Sequence, residues 1–271
     1  FAMFAHDIQQ HHLITMRSLP GSPRGLRPRL GTFLDLRAIR RLEGTAFARA
    51  RAILVASEAN RRLLQQFYPS VPDARIHHLP LAVRELPEVG DRAACRAALP
   101  APLDVPIVSF IGRTPERQGL PLALAAFRRI RAFFPGARLV VVGSTGPAEP
   151  GVMYLGVVDQ ATKARVLGAS DVFLCPARYE GFGIAAREAM RAGIATIVSP
   201  HVPLDGNELR SAARIVDQDD EGGYASALAE LFADPALRRS LGAAGRAFAE
   251  RFRPERMMER FEEIFRPLLP G

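Results

Sequence analysis

The apolar positions of this chain fall into two regimes. From about Asp104 onward, short unbroken apolar runs alternate with longer amphipathic ones. "VPIVSFIG" (105–112), "ARLVVVG" (137–143), "VMYLGVV" (152–158), "DVFLCPA" (171–177) and "IATIVS" (194–199) predict buried strands, and "AARIVD" (212–217) predicts a further one. Between them, "PLALAAFRRIRAFF" (121–134), "ATKARVLGA" (161–169) and "GIAAREAMRAG" (183–193) predict helices, the last closed by Gly193. Strands apolar on both faces and separated by helices call for a parallel sheet covered on both sides, with right-handed crossovers. In such a sheet ligands gather beyond the carboxyl ends of the strands. Helical stretches at 223–232, 235–251 and 254–268 end the chain, with Pro235 and Pro254 in first-turn positions that suit them.

The first hundred residues are less regular. "FAMFAHD", "ARAILVASE" (50–58) and "ARIHHLPLAV" (74–83) predict strands, and 33–50 and 59–68 predict helices. The stretch 87–106 mixes Pro, Gly and charge around a short helix at 91–98, and reads as a linker between two domains. The expected division is a partial N-terminal α/β domain over 1–100, a larger α/β domain over 101–252, and a C-terminal helix, 253–271, packing back toward the N-terminal domain.

Composition narrows the classes. At 271 residues, 48% apolar and 24% charged, the chain can build a sizeable core. No run of 18 apolar residues is present, so no spanning helix is expected. Cys95 and Cys175 lie far apart and read as buried thiols of a reducing compartment; with His11-His12 and His77-His78 they show no metal-ligand spacing. The net charge is +8, and between Arg17 and Arg62 eleven arginines face three acids, a surplus equal to the whole. Lys163 is the only lysine. The Arg17–Arg62 segment reads either as solvated helix faces or as a patch for phosphate, on an acceptor or an anionic membrane surface. Nucleic-acid binding rests on basicity alone and is not expected, since no zinc-finger spacing and no Trp accompany the arginines.

The candidate chemistry sits in "CPARYEGFGIAAREAM", Cys175 to Met190. Glu180 falls in the loop after a strand and Glu188 in the next helix. Between them Phe182, Gly183 and Ile184 offer N–H groups at a helix start, an anion seat that the glycines let a ligand approach. A carboxylate on each side of a phosphate seat suits a nucleoside diphosphate sugar, which has hydroxyls at both ends. The plainer alternative pairs Glu188 with Arg191. The spacing places Glu188 on a core-directed face with Ile184 and Ala192, leaving Arg187 and Arg191 as the polar face. Arg113, just past "VPIVSFIG", can meet a diphosphate at the same sheet edge. Neither Gly-x-Gly-x-x-Gly nor a P-loop follows the strands, so dehydrogenase and NTPase readings lose their support.

Gly112-Arg113, Gln118-Gly119 and Glu180-Gly-Phe-Gly-Ile-Ala-Ala-Arg-Glu188, in this order, resemble the donor-binding domain of the GT-B glycosyltransferases of the family 4 type. The resemblance spans roughly 105–268 and more weakly 1–100. It implies an α/β, GT-B-like fold: a Rossmann-like parallel-sheet C-terminal domain with helices on both faces, beside an incomplete N-terminal domain. It implies a retaining transferase moving a sugar from a nucleoside diphosphate to a glycan or lipid-linked acceptor, possible work for cell-envelope polysaccharide synthesis, cytoplasmic or peripheral on the inner membrane face. By the same resemblance Glu188 binds ribose, Glu180 a donor-sugar hydroxyl, the 182–184 amides the sugar and diphosphate, and Arg113 the leaving diphosphate. Val158 seats the base and His6 lines the acceptor cleft. No metal or other cofactor is called for, because Arg and N–H groups supply the charge. The family's second phosphate cation, usually Lys, is Gln118 here, with Arg117 beside it. The opening βαβ units expected before "FAMFAHD" are missing, which implies a fragment or truncated protein. The alternative reading is therefore a non-catalytic nucleotide-sugar-binding module.

Overall fold

The computed structural model describes residues 2–5, 30–99, 105–204 and 209–269. The chain divides into two compact units, Phe1–Ala82 with Pro254–Gly271, and Val83–Arg253.

In the first unit a parallel sheet runs in the order β1 (Ala2–Ala5), β2 (Ala52–Val55), β3 (Ile76–His78). Helix α1 (Leu30–Arg49) leads into β2, and α2 (Glu58–Phe67) starts where the Ser57 hydroxyl accepts the Asn60 N–H at 3.2 Å. Phe47, Ile53, Val55, Leu64 and Ile76 form the core on one face. Ile264 of the helix Pro254–Phe265 packs with Leu54 and Leu79. The strand expected over 74–83 is shorter than its apolar run, because pairing with β2 ends at His78.

The second unit is larger. Its helices α3 (Arg92–Ala97), α4 (Pro115–Gln118), α5 (Leu120–Ile130), α6 (Gln160–Ala169), α7 (Ile184–Arg191), α8 (Leu209–Ala212), α9 (Glu221–Ala233) and α10 (Pro235–Ala249) accompany β4 (Ile107–Ile111), β5 (Arg138–Val142), β6 (Val152–Gly156), β7 (Val172–Cys175), β8 (Ala195–Val198) and β9 (Arg214–Ile215). All pairings are parallel, in the order β6-β5-β4-β7-β8-β9. Alternate residues of each strand face opposite layers. Val108, Phe110, Leu139, Val141, Val172 and Leu174 pack under α5 and α9, whereas Ile107, Val140 and Val142 meet Cys95, Leu99 and Val166 on the other face. This explains why the strands read as unbroken apolar runs.

The stretch expected to link two domains, 87–106, belongs instead to the second unit where it is described. Helix α3 sits on the sheet because Arg92 and Arg96 both bind the buried Asp171 carboxylate, at 2.6 and 2.8 Å. The unit boundary therefore falls at 82/83 rather than near 100.

Strand order reverses between β4 and β7, which lie side by side although the helices and strands between them run outward to β6. A reversal of this kind places the expected ligand crevice at the carboxyl ends of β4 and β7, where the loops leaving the two strands come together.

Candidate functional site

The loop after β4 is shaped by Gly112 and Gln118. The Gly112 carbonyl accepts the Ser144 hydroxyl at 2.6 Å, and its N–H bonds Val142 O at 2.8 Å, which holds the strand end against β5. Arg113 follows, exposed, with no hydrogen bond or ion pair among the described residues. Gln118 folds back: its carbonyl oxygen accepts the Thr114 N–H at 3.0 Å and its amide donates to Glu180 Oε1 at 2.9 Å. A backbone N–H can only donate and a carboxylate only accept, so the amide orientation is fixed. Arg117 donates to Tyr179 O at 3.2 Å and lies 3.8 Å from Glu180 Oε2. Gly119 stands at φ 79°, and a Cβ there would overlap the Pro176 carbonyl. The two loops thus meet backbone to backbone, and only glycine fits.

The loop after β7 ends at Gly183, φ 76°, the N-cap of α7. The first helical bond runs from the Arg187 N–H to Gly183 O at 3.1 Å, so the amides before it point out of the helix unpaired by it. The expected face of α7 is corrected by the structure. Ile184 is 41% exposed, whereas Arg187 is fully buried. Arg187 donates to the carbonyls of Phe182 and Pro203, the latter at 2.6 Å. Its guanidinium lies 3.8 Å from the Phe182 ring centre and 4.5 Å from that of Phe252. Ala186 to Met190 are all buried and the exposed position of α7 is Ile184, so the Arg187 side of this short helix faces protein rather than solvent. Phe182 turns its ring into this packing and offers a ligand only its backbone.

Glu188 is 8% exposed, and its Oε1 accepts from Lys163 Nζ at 2.5 Å. The alternative pairing with Arg191 does not occur: Arg191 binds Glu85 at 2.5 Å and Val83 O at 3.2 Å. Lys163 stands on α6, whose first turn is capped by Asp159 just beyond Val158, and Val158 is partly buried against the core. Burial, then the charge of Glu180, pushes the Cys175 thiol well above its ordinary value, which makes it a packing group. Arg113, Gln118, Arg117, Glu180 and the 182–184 amides therefore belong to two loops that touch at one sheet edge. His6 lies outside the described residues, as do residues 17–29 of the basic segment. Lys163 and Arg187 are the site residues that sequence reasoning missed. The signal for Lys163 was its singularity among 36 Lys and Arg residues; for Arg187 there was none.

The profile of one family, glycosyl transferases group 1, matches residues 91–248. The chain belongs to that family. It is 30% identical to alpha-maltose-1-phosphate synthase of Mycolicibacterium smegmatis, over 83% of this chain and 65% of the relative. It is 29% identical to D-inositol 3-phosphate glycosyltransferase of Segniliparus rotundus, over 84% of this chain and 55% of the relative. The chain thus spans about half to two thirds of their lengths. Among solved structures, sucrose-phosphate synthase of Thermosynechococcus elongatus superposes with a TM-score of 0.77 at 24% identity, covering 98% of this chain and 67% of that one. The fold of this group 1 member is thereby the GT-B fold, and the family match covers both loops of the crevice.

Proposed function

We propose that this chain binds a nucleoside diphosphate sugar at the β4–β7 crevice as part of a retaining glycosyltransferase. The observation that carries the reading is the Gln118–Glu180 bond, which joins the Arg113 loop to the amides of α7. Breaking the bond from sugar to diphosphate leaves positive charge on the sugar and negative charge on the departing group. Preorganised donors aimed at that negative charge are the largest available lever. Arg113, unpaired and at the strand end, and the 182–184 amides serve this role, with Arg117 alongside. Glu180 takes a sugar hydroxyl, Glu188 the ribose, and Val158 the edge of the base. Ribose binding must then share or displace Lys163 on Glu188.

The acceptor is a glycan or lipid-linked alcohol, and a phosphate on it fits both the arginines of 17–62 and the sugar or inositol phosphates in the relatives' names. The same arginines suit a place at the inner membrane surface. A second reading, donor binding without turnover, is favoured by the neutral Gln118 beside the diphosphate seat.

A thermal-shift screen of UDP-, GDP- and ADP-sugars tests the site. One donor class should raise Tm in the wild type and lose most of that shift in Glu188→Ala. Undiminished shifts in the variant would refute the ribose role. Turnover of the same donor, in wild type or Gln118→Lys, separates the transferase from the binding module.

A further inference from the structure

The sheet of the second unit has another edge. At the amino ends of its strands, away from the crevice, lies a cavity of about 240 Å³ lined in part by Arg92, Asp171, Gly193, Arg238 and Arg239. Asp171 stands just before β7 and is nearly buried, 7% of its side chain exposed. Its Oδ1 accepts from Arg92 at 2.6 Å and lies 3.5 Å from Arg238 Nε. Its Oδ2 accepts from Arg96 at 2.8 Å and from the Ile107 N–H at 2.8 Å. One carboxylate, with its acceptor positions already occupied, therefore faces three guanidiniums.

Arg239 adds a fourth cation to the rim. It is exposed and has no hydrogen bond or ion pair among the described residues. The acids that start α3 and α10 are held by backbone donors. Asp91 caps the Ala94 N–H at 2.9 Å, and Asp234 caps those of Ala236 and Leu237 at 2.8 and 2.9 Å. Arg238 and Arg239 also stand early in α10, where the helix dipole favours anions and disfavours cations. A clip holding α3 to the sheet needs Arg96 and Arg92 alone. Arg92 and Arg96 also donate to the carbonyls of Ser170 and Ala169, at 2.9 and 3.1 Å, and Arg238 donates to those of Leu231 and Phe232 at the end of α9, at 2.6 and 3.4 Å, so carbonyl dipoles offset part of the surplus. The charge left over centres on Arg239, and a surplus of this kind marks a candidate functional position.

We propose that this cavity is a second anion site, distinct from the donor crevice, and that it takes a small phosphate monoester. A doubly charged group with several acceptor oxygens matches converging guanidinium forks. The volume lies below the roughly 300–1,000 Å³ of pockets for drug-sized ligands, which suits a small phosphate monoester better than a nucleoside diphosphate sugar. The phosphate can be carried by a free metabolite or by a phosphatidic acid headgroup.

Thermal unfolding of the intact chain in inorganic phosphate and in glucose 6-phosphate, at constant ionic strength set with sodium chloride, tests the site in wild type, Arg239→Glu and Arg113→Gln. Because Arg239 has no partner to lose, the reversal leaves the fold intact. Tm should rise with the probes in wild type and in Arg113→Gln, and the apparent Kd should weaken at least tenfold in Arg239→Glu. In a parallel arm, sedimentation with phosphatidylcholine vesicles containing phosphatidic acid, against phosphatidylglycerol as control, that depends on Arg239 would support the site with a lipid as the source. The proposal is overturned if neither arm responds to Arg239→Glu, or if the Tm rise disappears in Arg113→Gln, which would place the phosphate in the donor crevice. Loss of donor binding in Glu188→Ala bears only on the crevice, so the two readings can fail separately.

Discussion

Replacing Arg187 by methionine removes the buried guanidinium that holds the donor loop while keeping an unbranched, apolar side chain. Two carbonyls, those of Phe182 and Pro203, lose their donor, and leaving each buried acceptor unsatisfied costs about 1–3 kcal/mol. The stacking over Phe182 and Phe252 is lost as well, about 2 kcal/mol when desolvated. Against this, a buried cation no longer has to be dehydrated, and that offsets part of the sum. The net expectation is a loss of about 3–5 kcal/mol, taking together the hydrogen-bond and burial terms. For a unit of this size each kcal/mol moves Tm by roughly 2–4 °C, so Tm should fall by about 10 °C. Urea unfolding gives the free energy directly. Because the Phe182 carbonyl belongs to the same loop as the amides proposed to face the diphosphate, donor affinity measured well below Tm should weaken by about tenfold or more, a loss of about 1.4 kcal/mol. A Tm change under 2 °C would refute the structural account of Arg187. A large Tm change with unaltered donor affinity would show that the loop holds its shape without it.

Three further outcomes are expected. Gly119→Ala should cost at least about 3 kcal/mol in urea, because the Cβ meets the Pro176 carbonyl as well as the left-handed backbone; Gly156→Ala, at φ 62° with its nearest atom 3.9 Å away, should cost only about 1–2 kcal/mol. Equal losses would show that the loops do not abut. Lys163→Met should lower Tm by stranding Glu188, yet tighten donor binding by calorimetry, since the ribose proposed to bind Glu188 would no longer compete for the carboxylate. Weaker binding instead would mean that Lys163 itself contacts the donor. Burial pushes the thiols of Cys95 and Cys175 and the Tyr224 hydroxyl upward, so the folded state holds protons that the unfolded chain releases. That contribution is full below the unfolded thiol value and is lost as pH rises, so the urea midpoint should fall steadily from pH 8 to 10.5, and a flat profile would contradict it.

Much of the second unit was legible from the chain. Its strands and helices follow from runs such as "ARLVVVG" and "PLALAAFRRIRAFF", because strands covered on both faces must be apolar throughout. The anchors of the crevice, Gly112-Arg113 and Glu180 to Glu188, were readable because glycine and a helix start carry their chemistry in the local sequence. The face of α7 was not. Helical spacing assumes that the arginine side is the one in water, and the Arg187 side of α7 is enclosed by carbonyls and aromatic rings contributed by Phe182, Pro203 and Phe252. The same limit applies to the stretch around Arg92, whose polar composition reads as linker until Asp171, distant in sequence, supplies the partner.

The sequence by itself determined which segments of the larger unit are its main strands and helices, that its sheet is parallel, and that a glycine-flanked loop leads into a helix start at Gly183. These follow from the local balance of apolar burial and backbone hydrogen bonding. Only the tertiary structure decided that β4 and β7 are neighbours, that Gln118 binds Glu180 and Lys163 binds Glu188, and that Arg187 is buried. Those outcomes depend on partners brought together by chain crossovers, and a charged side chain goes wherever its partner is, which no local pattern records.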